Sequence, residues 1–405
     1  MKRILFSTML TLVVISAIAQ DNQKFGIRFS GFLRTDLVMD TRKTVESREG
    51  YFSFFPKDVD LNDRGEDQNA VSNFSQYSMA SRLRGNITGP DAFGAKITGV
   101  LEGDFTGPSN LVNNGFRLRL AYIQMDWKNT RLMIGQNWHA FTIIDAFPNT
   151  LALNTGAPFH AFSRQPQIQL QQKMGDFKVI GAISTQRDFV SNGPETPGVN
   201  YMRYSMIPDV TAQLHYKIGD HLVGVATEYK MLSPRTVTDS GYIHKETIQS
   251  KAALVFSKFQ FGNLRWVTQA IYGENLFDQL MIGGYGVSTQ DSITDIREYS
   301  PLAQYSLWTD LNYTHKMLHF GVFAGFLKNI GSQEEIIGEI YSRGKDLDYI
   351  YRVAPRVSVV QGKLSFIVEG EYTVAAYGEH NEFVRVEESS EVANFRLSIA
   401  AVYKF

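Results

Sequence analysis

From Phe25 onward the chain alternates apolar and polar residues with a period of two, and the pattern recurs along its whole length. Over 25–38, Phe25, Ile27, Phe29 and Leu33 interleave with Arg28, Ser30, Arg34 and Asp36. Over 76–88, Tyr77, Met79, Leu83 and Ile87 interleave with Ser78, Arg82, Arg84 and Asn86. Over 93–105, Phe93, Ala95, Ile97, Leu101 and Phe105 interleave with Lys96, Thr98, Glu102 and Asp104. A period of two, not 3.6, predicts strands with one apolar and one polar face. The same rule predicts strands at 116–127, 130–138, 164–172, 177–187, 208–217, 221–231, 247–258, 260–273, 302–315, 318–329, 349–360, 364–377 and 393–405. With the first three these make sixteen.

The connections sort into two kinds. Short ones fall at "GPDA", "KN", "KMGD", "IGD", "HKM" and "QGK", with a further tight turn near Ser257 to Phe259, and eight long ones separate them. Strict alternation of seven short and eight long connections is what sixteen antiparallel strands with both termini on one side require. Segments of roughly ten residues, apolar at every second position, are the pattern of a transmembrane barrel. The N-terminus agrees: Lys2 and Arg3, an apolar run from Ile4 to Ile15, and Ala17-Ile18-Ala19 form a secretory signal peptide with expected cleavage after Ala19. The rest of the chain has no run of about 18 apolar residues, so a membrane would be crossed by strands. Trp127, Tyr216, Tyr313 and Tyr403 fall near the short turns, and Tyr229, Tyr272 and Tyr372 toward the long loops, as two interfacial girdles would. The final strand, Phe395 to Phe405, is expected to close the barrel at its periplasmic rim.

The expected architecture is therefore all-β: a 16-stranded antiparallel transmembrane β-barrel with short periplasmic turns and long extracellular loops. Residues 1–19 form the signal peptide and 20–405 a single barrel domain. Composition removes other classes. The 405 residues include no cysteine and carry a formal net charge of −1. There is thus no disulfide framework, no thiolate metal site and no global basic field for nucleic acid.

The stretch "GPDAFGAKITGVLEGDF" (Gly89 to Phe105), followed by "GFRLRLAYIQMDWKNTRLMIGQNWHAF" (Gly115 to Phe141), resembles the third-to-fifth strand region of DcaP-like outer-membrane porins, relatives of the general trimeric porins. The detailed likeness covers roughly the first 170 residues, and the remainder is similar only in strand pattern. The resemblance implies passive diffusion of small hydrophilic, often carboxylate-bearing anionic solutes through a homotrimer of water-filled barrels. It further implies an outer-membrane location of Gram-negative type, contact with lipid and lipopolysaccharide, and delivery by the barrel-assembly machinery that reads Phe405.

Strand phase supplies the candidate lining. Arg28 and Arg34 on the first strand, Arg82 and Arg84 on the second, Arg117 and Arg119 on the fourth and Arg131 on the fifth point inward, with Glu102 and Asp104 between them on the third. Rings of arginine favour anions, and the guanidinium fork holds a carboxylate with two hydrogen bonds. The alternative is that these groups only satisfy one another. On the fourth strand, the phase that puts Arg117 and Arg119 inside also puts Ile123, Met125 and Trp127 inside. A β-bulge near Ala121 to Ile123 would restore the alternation.

The third long connection, His139 to Phe162, is too apolar to sit in water outside a cell. As in the porins it resembles, it is expected to fold inward, making Asp145, Asn149 and Asn154 candidates for a constriction. The alternatives are packing at a trimer centre or capping the mouth. In the first long loop, Asp58, Asp60, Asn62 and Asp63 approach the spacing of a calcium loop. Asp63 stands where that loop needs Gly, however, and Asn69 where it needs Glu. A loose calcium or lipopolysaccharide-bridging site and a solvated acidic loop remain the two readings, and no other cofactor is implied. The eight histidines form no H-x-H, H-E-x-x-H or G-x-S-x-G pattern, and none has an evident serine partner, which argues against an enzyme. A surface adhesin or binding platform without significant transport is the alternative function.

Overall fold

The computed structural model describes residues 25–195 and 197–405; the expected signal peptide lies outside them. Nineteen hydrogen-bonded segments form one continuous sheet; two of these lie in loops and two are halves of one broken strand, which leaves sixteen wall strands. They are β1 (Gly26–Asp40), β2 (Asn73–Tyr77 continued by Arg82–Thr88), β3 (Lys96–Asp104), β4 (Arg117–Asp126), β5 (Thr130–Trp138), β6 (Arg164–Met174), β7 (Phe177–Ser184) and β8 (Asp209–Ile218). The second half comprises β9 (His221–Leu232), β10 (Ile248–Phe261), β11 (Leu264–Glu274), β12 (Arg297–His315), β13 (Leu318–Gly331), β14 (Leu347–Gln361), β15 (Leu364–Tyr377) and β16 (Ser390–Lys404). Every neighbouring pair is antiparallel. The seam closes with β1 on β16, from Phe32 opposite Lys404 to Asp40 opposite Arg396. Closure leaves no unpaired edge, the condition for placing strands in hydrocarbon.

The outward residues explain why the barrel belongs in a membrane. Leu33, Leu101, Ile123, Val255, Leu307 and Phe366 are all exposed, Leu33 by 61% and Ile123 by 58%. An apolar belt of this extent around the whole wall is stable only against lipid. No helix among the described residues is long and apolar enough to cross a membrane. Tyr216, Tyr313 and Tyr403 are exposed near the short turns, and Tyr272 and Tyr372 toward the loops, as the girdle pattern requires.

Three local departures from the sequence pattern have identifiable causes. The turn expected near Ser257 to Phe259 lies instead at Gly262 and Asn263, where Gly262 adopts φ +55°. The alternation continues through Phe259 and Phe261, and only the Gly-Asn pair supplies turn chemistry. The third wall strand starts at Lys96, not Phe93, because Phe93 and Gly94 sit in the turn with positive φ. The second strand breaks at 78–81, where the Ser81 N–H donates to the Ser78 carbonyl. The expected bulge in β4 is present, two residues earlier than placed. Glu102 pairs with Leu120 and Gly103 with Leu118, so Arg119 is the extra residue. Arg119 and Leu120 thus both turn inward, and Ile123 faces lipid while Gln124 faces the lumen.

The third loop, 139–163, folds into the barrel as its apolar composition required. Its Phe141, Ile143, Phe159 and Phe162 are buried against Phe52, Phe54 and Phe55 from a hairpin of the first loop, and against inward residues Phe256, Trp308, Phe323 and Ile350 of the wall. Polar anchors fix the path. The Leu151 and Ala152 N–H groups each donate to Glu369 at 2.8 Å, and the Asn149 N–H donates to Asp310 at 2.9 Å. Arg352 donates to the carbonyls of Ala157 (2.8 Å) and Phe54 (2.5 Å), which ties both loops to β14. The side of β10–β15 is therefore filled by a packed core, and the open space beneath the loop lies along β2–β8 with an extension to Lys258 of β10.

Candidate functional site

Two adjoining cavities lie under the third loop. The larger, about 520 Å3, is bounded by inward side chains of β2–β8 and by the loop's underside. Five cations line it, Arg82, Arg84, Arg131, Lys173 and Lys178, against two carboxylates, Glu102 and Asp145. The smaller, about 340 Å3, continues toward the short-turn rim and adds Lys217 and Lys258 together with the carboxylates Asp176 and Asp220, so most of the cationic excess belongs to the larger cavity. Both share Asp145, Lys173, Lys178 and His215. The excess of positive charge is local, since the chain as a whole carries −1.

Within the arginine ladder, accessibility and pairing divide the work. Arg119, 2% exposed, donates to Glu102 at 2.9 Å and to Asp104 at 2.8 Å. Arg117 donates to Asp104 at 2.9 Å, and Asp104 also accepts from the Thr106 hydroxyl. These four groups neutralise one another in the wall. Arg82 and Arg84 approach Glu102 only at 3.6 and 3.4 Å, and their side chains keep 24% and 34% exposure to the cavity. Arg82 also lies over the Phe32 ring at 5.0 Å. Because Glu102 is already held by Arg119, the Arg82–Arg84 pair retains free donors for an anion. Arg131 pairs with Asp126 at 2.6 Å and stays exposed.

The other expected lining residues separate. Arg28 is exposed at the short-turn rim. Arg34 makes a bidentate pair with Asp36 and donates to the Leu151 carbonyl at 2.7 Å, so it anchors the third loop. Asp145 faces the cavity, 2.5 Å from the Lys178 ammonium and 3.6 Å from His215. Partial burial would raise its pKa, but Lys178, with His215 and Lys258 behind it, holds the carboxyl below its ordinary range. Asn149 is exposed beside Asn312. Asn154 is 1% exposed and donates to the Ser53 carbonyl, joining the third loop to the first.

In the first loop, the Asn62 side chain accepts from the Arg64 and Glu66 N–H groups. Asp58 accepts from the Val59 N–H, and the Asp60 N–H donates to Asp67. Asp67, not Asp58, Asp60 or Asp63, carries the loop's ion pair, with Arg42 at 2.6 Å.

Sequence reasoning missed the lysines. Lys178, Lys217 and Lys258 were available from the inward phase of their strands, and Lys173 sits one residue beyond the expected end of its strand. What alternation could not give is that four strands bring them to one wall beside Asp145. It also missed a partner for His139, whose Nε2 lies 2.9 Å from Ser184 Oγ and 3.4 Å from Asp209 Oδ2. Both contacts fall on the same ring nitrogen, whereas a catalytic triad needs serine and carboxylate on opposite ones.

No family model matches the sequence, and no curated protein matches it. Solved structures do. The outer membrane channel DcaP of Acinetobacter baumannii matches 95% of this chain and 99% of its own at TM-score 0.69 and 14% identity. An anion-selective porin from Comamonas acidovorans matches 94% of this chain and 100% of its own at TM-score 0.57 and 8% identity. The trimer form of OmpT, an outer membrane protein of Vibrio cholerae, matches 95% and 100% at TM-score 0.56 and 10% identity. At these identities the likeness is one of fold: the chain has the barrel of the DcaP channel and of the porins.

Proposed function

We propose that this protein is an outer-membrane porin through which small hydrophilic anions, carboxylate-bearing ones in particular, diffuse passively. The observation that carries this reading is the vestibule beneath the third loop, lined by five cations against two carboxylates. In a confined lumen the dielectric is below that of water, so each unneutralised cation favours a monovalent anion by about 1 kcal/mol or more at a few ångströms. Arg82 and Arg84, with the guanidinium geometry for bidentate contact, select carboxylates; Lys173, Lys178, Lys217 and Lys258 draw them onward as point charges.

The porin fold supports the location, and a trimer form among the structural neighbours supports assembly as a homotrimer. Lipopolysaccharide around the belt and delivery by the barrel-assembly machinery belong to the same reading. It invokes no cofactor and no catalytic step, since passive diffusion needs neither.

The test is a reversal potential across a planar bilayer under a salt gradient. Wild type is expected to prefer anions, and Arg82→Ser with Arg84→Ser to move the potential toward cations and weaken block by a dicarboxylate. The shift should be largest at low ionic strength, where the Debye length exceeds about 10 Å. An unchanged potential and block in the double variant would sink the selectivity assignment. Absence of any conductance in wild type would favour the surface-platform alternative.

A further inference from the structure

Three side chains converge where the third loop leaves β5, one of them at the edge of the vestibule and two behind it. They are His139, the loop's first residue, Asp209 at the start of β8, and Glu228 on β9. One ligand atom from each lies within 4.8 Å of the other two. All three residues are buried, at 1%, 2% and 4% exposure.

Their charges are not balanced by their neighbours. Lys230, the nearest cation on β9, is committed to Asp278 and to the Asn275 carbonyl at 2.6 Å. Arg343 donates to the carbonyls of Phe277 and Met281. Asp209 Oδ1 has no hydrogen-bond partner, and Glu228 receives only long contacts, 3.4 and 3.5 Å, from the Gln279 amide. Two neighbouring carboxyl groups out of water, within hydrogen-bond reach of each other and otherwise served by neutral donors, need either a shared proton or a bound cation.

Geometry indicates which counter-charge fits. Two ligands held tetrahedrally at about 2.0–2.1 Å from an ion stand roughly 3.3–3.4 Å apart. His139 Nε2 and Asp209 Oδ2 are 3.4 Å apart, one edge of such a tetrahedron. Ser184 Oγ, 2.9 Å from the same nitrogen, borders the remaining position. On the far side of the ring, Nδ1 is 3.1 Å from the Gln279 carboxamide, whose oxygen has no partner. Ion binding requires this amide to turn so that its oxygen accepts the Nδ1 proton and frees the Nε2 lone pair, and Glu228 to exchange its long contacts with the amide nitrogen for the ion. The Phe141 N–H points at the same Nδ1 from 3.2 Å, so ion binding exchanges one ring tautomer for the other.

We propose that His139, Asp209 and Glu228 bind one divalent transition-metal ion of the zinc type, which pins the start of the third loop to the barrel wall. One imidazole and two carboxylates suit a borderline ion better than calcium or magnesium, which prefer six or more oxygen ligands. The site has no part in the selectivity reading above; it sets how firmly the constricting loop is seated.

The experiment begins with protein refolded into detergent after chelation, incubated with zinc chloride, freed of excess ion and analysed for metal. Wild type is expected to hold one zinc per chain, with nitrogen and oxygen neighbours in X-ray absorption and a raised unfolding temperature. Asp209→Asn and Glu228→Gln, each shown folded by its shifted mobility on an unheated SDS gel, should lose the zinc and the stabilisation. Wild type with only substoichiometric zinc overturns the proposal, as does equal zinc in wild type and both variants. An infrared band of a protonated carboxyl in zinc-treated wild type, absent in Glu228→Gln, overturns it too, because a proton shared by Asp209 and Glu228 then supplies the counter-charge.

Discussion

Arg119 and Arg84 sit 17 and 2 positions from groups they bind in one ladder, yet removing them should have opposite kinds of consequence. Arg119 is buried between Glu102 and Asp104. Arg119→Ser leaves two buried carboxylates short of a partner and is expected to cost about 3 kcal/mol or more of stability, read as a lower heat-modification temperature. Arg84→Ser, at a half-open position, should alter selectivity with little change in that temperature. Equal losses in both variants would contradict the division between wall and vestibule.

His160 gives the residue scale a pH dependence. Its ring is buried between Phe147 and Trp308, and Nδ1 meets Gln269 at 3.2 Å. Burial pushes its pKa down to about 4, whereas an unfolded histidine titrates near about 6.5. Between those values the unfolded chain takes up the proton and the folded chain does not. The full stability is therefore present above about pH 6.5 and falls as the pH drops toward 4, by up to about 3 kcal/mol. Thermal unfolding of His160→Phe should show a shallower acid decline than wild type over that window; parallel declines would refute the assignment.

Among elements, the seam between β1 and β16 is the one the chain must make last in sequence and farthest apart. The Phe405 and Gly31 backbones exchange hydrogen bonds at 3.1 and 3.2 Å. A side chain at Gly31 has no room: a Cβ there would stand 2.1 Å from the Arg82 carbonyl oxygen and 2.9 Å from the Phe405 ring. Gly31→Val is therefore expected to block closure and yield no gel-shifted barrel, while deletion of Phe405 should lower the amount reaching the outer membrane. Normal membrane levels of the truncated chain would count against the role of that terminus. At this scale much was legible. Alternation located each wall strand, but the turn after β10 was misplaced because Phe259 and Phe261 extend the pattern and Gly262 alone reverses it. The β4 bulge was legible as a phase conflict, whereas its position at Arg119 depends on the register with β3.

For the whole molecule, a closed antiparallel wall and an apolar outer belt predict a detergent-extracted, heat-modifiable protein with strand-dominated far-UV circular dichroism; a helix-dominated spectrum would exclude this fold. The first loop carries the Arg42–Asp67 tie. The hydrogen bond from Arg42 holds the Asp67 carboxyl down to about 2, against roughly 3.9 when unfolded. That tie is complete above about pH 4 and is lost as the pH falls through 2.

The amino-acid sequence by itself determined the barrel: a period of two forces each strand to present one face to lipid and one to the lumen, and alternating connection lengths count the strands. It also determined that the third loop must leave water, since His139 to Phe162 is too apolar to do otherwise. Only the tertiary structure decided where that loop goes, because its path is set by anchors more than a hundred residues away, such as Asp310, Arg352 and Glu369. Only the tertiary structure, too, decided which charges are free. Alternation aims Arg84 and Arg119 at the same lumen, but which of them Glu102 and Asp104 consume depends on register, on one bulged residue and on distances that no linear pattern records.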